Sequence, residues 1–338
     1  ADDYFETVLW TGNATDDTAI PINFKPDFTW IKQRTSTAYH NLSNSTVGAT
    51  KALFSNATDA EGTNSDRLKA FTSTGFTLGN ASDVNASSNT YVAWNWKANG
   101  NTTVTNESGS IDSTVQANTD AGFSIVTYSG NADASATIGH GLGVVPKMIM
   151  VKKRDEAGNW IVFTETTGKD NKLNLNATTA NATSALFNNA DPTSTVFSVK
   201  DTSSDDTFGD GHTYVAYCFA DVVGYSQFGS FVANNSADGA FIYLGFRPAF
   251  FILKDTTTAG SWSMYDSVRD TINPAYKELS SDASGAETTN AGVGRIDFLS
   301  NGFKIRDNDG GSYMGQESGA VFIYMAFAEQ PFKYANAR

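Results

Sequence analysis

Acidic and amide side chains that could bind a metal ion concentrate in three loops of this 338-residue chain, each directly before a predicted strand. The oxygen atoms of such side chains are the ligands that Ca²⁺ takes in proteins. Residues 307–311 (Asp-Asn-Asp-Gly-Gly) are similar to the start of a calcium loop, but the glutamate that should close it is absent, and Glu317 falls one position short. Solvated turns are therefore the predicted structure, and Asp307 and Asp309 form a weak calcium candidate.

The same three loops are the predicted contact surface of the molecule. Binding residues lie preferentially on loops that a rigid scaffold positions, and these loops are expected at one end of each repeated unit described below. The predicted contact residues are Asp83, Asn85, Asp205, Asp206, Asp210, Asp307, Asn308 and Asp309.

Groups that carry catalysis do not cluster in the sequence. His40, His140 and His212 have no second histidine, cysteine or acidic cluster at the spacing of metal ligands. Residues 138–143 (Ile-Gly-His-Gly-Leu-Gly) look like a phosphate loop, but a strand rather than a helix follows, which favours a turn with glycines at positive φ. No nucleophile elbow is present, and turn formation explains the loop acids better than a glycosidase carboxylate pair does. The prediction is a non-enzymatic protein without a cofactor.

Composition excludes several classes of partner. The net charge of −13 and the pI of about 4.6 exclude the basic surface that nucleic-acid binding needs and disfavour anionic membranes. No apolar run approaches the length of a membrane span, so no membrane insertion is expected. Cys218 is the only cysteine, which rules out a disulfide within the chain, and its place in a predicted strand indicates a buried, inert thiol.

One strand pattern occurs three times, and the other elements are arranged around it. The copies are residues 91–97 (Tyr-Val-Ala-Trp-Asn-Trp-Lys), 214–220 (Tyr-Val-Ala-Tyr-Cys-Phe-Ala) and 322–328 (Phe-Ile-Tyr-Met-Ala-Phe-Ala). Apolar side chains on both faces are typical of a strand inside a sheet that is covered on both sides. Each copy is predicted to be the last strand of a longer repeated unit.

A proline six residues before a lysine recurs in every unit, at the start of another predicted strand. The lysines are expected at the rim of the core, with their ammonium groups in solvent. Trp160 and Trp262 are expected in the core, and Tyr39 takes the corresponding position in the first unit. The proline and lysine pairs are Pro26 and Lys32, Pro146 and Lys152, and Pro248 and Lys254.

The predicted fold is all-β, with three tandem β-sandwich repeats of jelly-roll or lectin-like type, each of about 100 residues. The repeats are predicted at residues 1–97, 122–224 and 225–338, and residues 98–121 form a linker or an extra strand. Because only residues 221–224 join the second and third repeats, these two are expected to be rigidly connected. The first repeat is expected at a variable angle.

The repeated motifs resemble an uncharacterised repeat domain found in structural proteins of marine bacteriophages, of the tail-fibre or virion type. The resemblance covers nearly the whole chain and departs most in the third copy, at residues 322–325. It implies a virion component and transfers no catalytic residues. The motifs that carry it are residues 122–131, 139–149, 213–219 and 332–338.

The expected function is therefore that of a tail fibre or receptor-binding appendage, located on the phage particle and contacting the host surface. The expected partners are other virion proteins and a glycan or protein of the host surface. A homotrimer is favoured, because fibres are commonly trimeric. Three alternatives stay open: a capsid decoration or head-fibre protein, a glycan-degrading depolymerase, and a cellular adhesion protein.

Overall fold

A computed structural model describes residues 3–202, 204, 206–289, 291–292, 294–307 and 318–329. These residues form 27 strands and one short helix, α1 (Ser82–Asn85), so the all-β class predicted from the sequence is confirmed. None of the helical structure in these ranges has the length and apolar character needed to cross a membrane.

The strands fall into three successive segments, which we call the first, second and third segment. The first contains β1 (Phe5–Thr11), β2 (Thr18–Pro21), β3 (Phe28–Gln33), β4 (Asn41–Asn44), β5 (Lys51–Ala52), β6 (Gly62–Thr63), β7 (Leu68–Thr72), β8 (Gly75–Leu78) and β9 (Thr90–Trp96). The second contains β10 (Val104–Asn106), β11 (Ser113–Asn118), β12 (Phe123–Ser129), β13 (Ser135–Gly139), β14 (Met148–Lys153), β15 (Ile161–Thr164), β16 (Asn171–Asn174), β17 (Ala182–Thr183), β18 (Val196–Lys200) and β19 (Thr213–Phe219). The third contains β20 (Ser226–Val232), β21 (Phe241–Tyr243), β22 (Pro248–Asp255), β23 (Ser263–Asp266), β24 (Leu279–Ser280), β25 (Ile296–Leu299), β26 (Gly302–Ile305) and β27 (Val321–Ala328).

The main sheets of the three segments share one antiparallel strand order. The order is β1-β9-β3-β4 in the first, β12-β19-β14-β15 in the second and β20-β27-β22-β23 in the third. The strand that recurs in the sequence is β9, β19 or β27, and in each sheet it has a neighbour on both sides. Its position inside the sheet, predicted from its apolar faces, is confirmed.

A smaller sheet covers the outer face of each main sheet. The small sheets are β2-β8-β7, β13-β18 and β21-β26-β25, and each packs on its main sheet through a separate hydrophobic cluster. An aromatic pair marks the same place in all three clusters. The stacked pairs, with their centroid separations, are Trp10 on Tyr91 (5.3 Å), Tyr128 on Tyr214 (5.1 Å) and Phe231 on Phe322 (5.3 Å).

The inner faces of the three main sheets meet in one common core. Phe5 of the first segment stacks on Phe327 of the third at 5.1 Å, and Phe28 stacks on Tyr217 of the second at 4.3 Å. The first segment is thus packed against both others. The expectation that it sits at a variable angle is wrong, because the sequence could not show that its inner face is buried by the other two segments.

Residues 98–121 contribute strands rather than a linker. β11 pairs with β12 from Thr114 to Asn118, and β10 pairs with β11 in turn. Val115 is buried in the cluster of the second segment, and Gln116 is buried on the opposite face. The extra-strand alternative predicted for these residues is the one that the structure shows.

Candidate contact surface

The three lysines predicted at the rim are instead buried at the junctions between segments. The prediction was wrong because each Nζ is covered by a loop of another segment, whose backbone carbonyl accepts a hydrogen bond from it. Burial lowers the pKa of each of the three ammonium groups to about 8. The acceptors in the other segment are the Ser284 carbonyl for Lys32 (3.2 Å), the Thr58 carbonyl for Lys152 (3.2 Å) and the Thr178 carbonyl for Lys254 (3.1 Å).

These contacts close the three segments into a ring. The first segment donates to the third, the second to the first, and the third to the second. A backbone N–H repeats each contact by donating to the same carbonyl. These pairs are Ala38 to Ser284 (3.0 Å), Gly158 to Thr58 (2.8 Å) and Gly260 to Thr178 (2.8 Å).

A ring N–H also crosses every junction. Trp160 Nε1 donates to the Phe54 carbonyl at 2.9 Å, and Trp262 Nε1 donates to the Asn174 carbonyl at 2.9 Å. The corresponding residue of the first segment is His40, one position after the predicted Tyr39. Each of these three residues comes directly before β4, β15 or β23.

His40 matches the two tryptophans in its contacts as well as in its position. Its Nδ1 accepts from Trp30 Nε1 at 2.8 Å, so its Nε2 carries the proton and donates to the Ser280 carbonyl at 3.0 Å. Burial lowers the pKa of His40 to about 3, which keeps the ring neutral. His40 is therefore a structural residue of the junction.

The other two histidines also make local contacts. His140 is buried, its Nε2 donates to the Thr193 carbonyl at 3.1 Å, and its Nδ1 accepts from the Leu142 N–H at 3.2 Å. The predicted glycine turn is confirmed, since Gly141 and Gly143 have φ values of +72° and +73°. His212 faces Asp155 at 3.2 Å. Among the described residues, His, Cys, Asp and Glu form no group of three that could hold a metal ion.

Three of the predicted contact residues point into the protein. Asn85 is buried and donates to the Gly79 carbonyl at 2.9 Å, and Asp206 is buried and accepts from the Asn159 N–H at 2.9 Å. Asp307 is buried and accepts from the Gly294 N–H. The contact prediction needs correction at these positions, because a buried side chain that holds its own loop cannot touch a partner.

Two predicted contact residues are accessible, and three lie outside the description. Asp83 is partly exposed and pairs with Arg67 at 2.6 Å, and Asp210 is exposed. Asp205, Asn308 and Asp309 lie outside the described residues, as does Glu317, so the weak calcium candidate remains a prediction.

The structure shows a different surface that the sequence analysis missed. Phe241 and Tyr243 are 46% and 62% exposed on β21, while Ile242 between them is buried. Lys304 lies opposite Phe241 on β26 and pairs with Asp238 at 2.6 Å. We call the surface formed by Phe241, Tyr243, Lys304 and Asp238 the aromatic face. The sequence shows only a short run of large apolar residues, which does not distinguish this exposed strand from a buried one.

The aromatic face belongs to the third segment alone. Ile20, Ile138 and Ile242 occupy one register position, opposite Phe76, Phe197 and Phe303. The residues on either side of that isoleucine can therefore be compared directly. They are Ala19 and Pro21 in the first segment, Thr137 and Gly139 in the second, and Phe241 and Tyr243 in the third.

Comparison with known proteins gives one match. The family model described as "Domain of unknown function (DUF7483)" matches residues 1–331, and so spans all three segments. No curated protein and no solved structure matches the chain.

Proposed function

For this chain, which belongs to the family described as domain of unknown function DUF7483, we propose the role of a non-enzymatic structural protein of a bacteriophage particle. Within that role it acts as a tail fibre or receptor-binding appendage and contacts the host surface. The resemblance of residues 122–131 and 213–219 to phage structural proteins supports the virion role. The aromatic face is the single observation that carries the contact role.

A large aromatic side chain that stays exposed does not gain the stabilisation that its burial would contribute. Fully burying a side chain as large as phenylalanine contributes about 1.5–3 kcal/mol, and two alternate positions of β21 leave much of that stabilisation unused. The underlying scaffold is rigid, because Ile242 packs into the cluster beneath and Phe303 stacks on Phe251 at 4.4 Å. Rigid aromatic side chains that stay exposed favour a contact surface.

The chemistry of the aromatic face fits a carbohydrate of the host surface. Successive outward residues of a strand lie about 7 Å apart, so the two rings present side-by-side apolar surfaces. Lys304 and Asp238 beside them supply both donors and acceptors for hydroxyl groups. Because these charges balance, a neutral glycan suits the surface better than a strongly charged one.

The proposal includes the origin of the fold: the three segments are tandem copies of one β-sandwich unit of jelly-roll or lectin-like type. The shared strand order and the matched aromatic pairs support it. The copies correspond to residues 1–97, 122–224 and 225–338.

Immunogold labelling of intact virions with an antibody against residues 122–338 tests the location. Gold at the tail is the expected result, and gold on no particle contradicts the virion role. Binding of the labelled protein to host cells tests the contact surface. The double variant Phe241→Ser/Tyr243→Ser should bind at least tenfold more weakly, whereas Tyr39→Ser, which removes an exposed aromatic elsewhere, should bind normally.

A capsid decoration protein is the second candidate, and the ring of three segments favours it. A single chain with three equivalent junctions has an approximately threefold arrangement that matches a threefold position of a capsid lattice. This candidate predicts gold over the head and binding to purified capsids. It also predicts a monomer of 36.1 kDa in sedimentation, whereas the homotrimer predicted for a fibre sediments at three times that mass.

A further inference from the structure

We propose that the outer edge of β1 in the first segment, which pairs with no strand among the described residues, binds an extended strand of a partner polypeptide, in the way that β12 of the second segment binds β11. This inference does not depend on the proposed virion role. It rests on the matched geometry of two sheet edges and on two unpaired buried hydroxyl groups.

The second segment shows how such an edge is covered. β11 pairs antiparallel with β12, and Ile111 before it bridges to Ile138 on the small sheet, so one extended segment closes both layers. Gln116 lies opposite Ile125, and its Nε2 donates to Ser45 Oγ at 2.9 Å and to Thr46 Oγ1 at 2.8 Å. A strand at this edge thus also bonds to the neighbouring segment.

β1 occupies the same position in the first segment. Thr7 pairs with Trp94, and Ile125 pairs with Tyr217. Trp94 and Tyr217 occupy the same position in the recurring strand, so Thr7 and Ile125 are matched. Both of these side chains contact the neighbouring segment at matched positions. Asn44 Nδ2 donates to Tyr217 Oη at 2.9 Å, and Trp94 Nε1 donates to Asp266 Oδ2 at 3.1 Å.

A serine directly follows each of the two residues, Asn44 and Asp266, that make these contacts. Ser45 and Ser267 are further matched by their backbone, since the N–H of Ser45 donates to Asp27 and that of Ser267 to Ala249, each at the start of the corresponding main strand. At the edge of the second segment, the Gln116 side chain donates a hydrogen bond to Ser45. Nothing in the described residues bonds to Ser267 Oγ.

Among the described residues, two matched hydroxyl groups are therefore buried without a hydrogen-bond partner, one on β1 and one in the neighbouring third segment. Ser267 is 8% exposed and Thr7 is 9% exposed, and both Ser267 Oγ and Thr7 Oγ1 are unpaired. Such groups cost free energy unless a partner supplies the missing bond. The match with Gln116 indicates which partner fits, namely a side-chain amide on a strand that pairs with Thr7.

The rest of the edge is open in the same way. Val8 and Trp10 are partly exposed, whereas the matched residues Val126 and Tyr128 are buried. Unpaired edge strands readily add a further strand. The third segment differs, because Asp221 Oδ1 accepts from the Phe228 N–H at 2.8 Å and so caps its edge at the position of Thr7.

The chemistry of the partner follows from β11. The partner segment is extended, carries a glutamine or asparagine opposite Thr7, and carries a β-branched residue opposite Val8, as Val115 lies opposite Val126. The source we assign is another polypeptide, because the matching strand of a second copy, its own β11, is already paired with β10 and β12.

The test supplies a copy of the covering strand to the full chain. Residues 99–122 are duplicated directly before Phe5, and amide hydrogen exchange is measured for residues 5–11. We expect at least tenfold slower exchange at the outward amides of β1. A matched fusion with Gln116→Leu in the copy alone should lose most of that protection. Unchanged exchange in the first fusion overturns the proposal.

Substitutions of Thr7 and Ser267 distinguish hydrogen bonds to the side-chain amide of the added strand from backbone pairing alone. Thr7→Val and Ser267→Ala should leave the unfused chain at least as stable, because each removes an unpaired hydroxyl. In the fused chain they should reduce the protection several-fold, and full protection in both variants contradicts the assigned contact. Concentration-dependent dimerisation of the unfused chain that protects residues 5–11 would assign the edge to a second copy and overturn the choice of partner.

Discussion

The junction between the first and third segments and the junction between the second and third share one frame but differ in charge. Both have a buried lysine and a backbone N–H donating to one carbonyl, and both have a ring N–H that crosses to the other segment. The first/third junction adds buried ion pairs. The described residues of the second/third junction include none.

Arg269 is the centre of the charged junction. Its guanidinium is fully buried, and it donates to Asp266, to Glu287 at 3.0 Å and to the Met264 carbonyl at 2.9 Å. It lies 5.5 Å over the ring of Trp94 from the first segment. Arg34 of the first segment reaches the same Glu287 at 2.8 Å, so the network ties the two segments together.

The second/third junction holds apolar groups and a pocket where the other has charges. The pocket is small, and its lining includes Met148, Thr164, Phe228 and Ile323. Its charged lining residues, Lys147 and Glu165, belong to the second segment and pair with each other at the surface. The difference teaches that the frame shared by the junctions consists of hydrogen bonds to backbone carbonyls and does not require buried ion pairs. The charges are additions to one junction, so the two junctions should respond differently to substitution.

The largest expected effect is at Arg269. Arg269→Met leaves the Asp266 carboxylate buried without its cation and Glu287 with Arg34 alone, which should lower the free energy of unfolding by about 3–5 kcal/mol. Arg247→Met removes a half-exposed pair with Glu329 and should cost less than about 1 kcal/mol. Urea denaturation of both variants measures the difference, and equal losses would contradict the role of burial.

A second substitution sharpens the comparison at the uncharged junction. Lys254→Met leaves the Gly260 carbonyl without its donor and the Thr178 carbonyl with the Gly260 N–H alone, and should cost about 2 kcal/mol. Because no ion pair among the described residues joins the second and third segments, the amides of Asn181 and Gly260 should also exchange faster. In Lys32→Met, the corresponding amides of Glu287 and Ala38 should stay protected by the ion pairs. Equal exchange at both junctions would show that the charges add nothing to closure.

The lowered lysine pKa values predict a rise of stability with pH. A folded pKa of about 8, against the usual 10.5, means that between pH 8 and 9 the unfolded chain keeps protons that the folded chain releases. The free energy of unfolding should then increase by up to about 1 kcal/mol for each lysine. Above pH 9 the increase of stability with pH should become smaller. Burial raises the pKa of Cys218 to about 12, so the thiol loses its proton at a lower pH in the unfolded chain than in the folded chain, and this favours unfolding.

Urea titrations at pH 8 and pH 9 test this linkage. Each Lys→Met variant should remove one lysine's share of the rise, and the three shares should be similar at the charged and uncharged junctions. A flat or falling stability over this range would contradict the buried, partly desolvated state of these amines.

The smallest expected effect is at the edge of the charged network. Arg34→Met removes a partner of Glu287 that is only partly buried, while Arg269 continues to compensate the carboxylate. The loss should be about 0.5–1 kcal/mol and should shrink in high salt. A loss as large as that of Arg269→Met would mean that the two arginines act as one unit.

The recurring strand shows how far the sequence reaches. Its alternation predicted two buried faces, and the structure places Val92, Trp94 and Trp96 in the common core while Tyr91 and Ala93 face the small sheet. The buried Cys218 follows from the same alternation. Such predictions hold because the two faces of a strand depend only on neighbouring residues.

The lysines show where sequence reasoning stops. Whether Lys32 ends in solvent or in a junction depends on the Ser284 carbonyl, which is 252 residues away in the chain. The predicted contact loops failed in part for the same reason: Asn85 and Asp206 find partners inside the molecule. The aromatic face was missed because nothing local distinguishes an exposed Phe241 from a core phenylalanine.

The sequence by itself determined the all-β class, the recurring strand and the two apolar faces of that strand, because all of these are written in local alternation and spacing. Only the tertiary structure decided what each face touches. The inner faces of three sheets bury one another, and the lysines lose their contact with solvent. One sheet edge is covered by β11, whereas no strand of the described part of the chain covers the edge of β1. Those outcomes depend on contacts between distant segments, and no local pattern encodes which carbonyl or which edge will lie opposite.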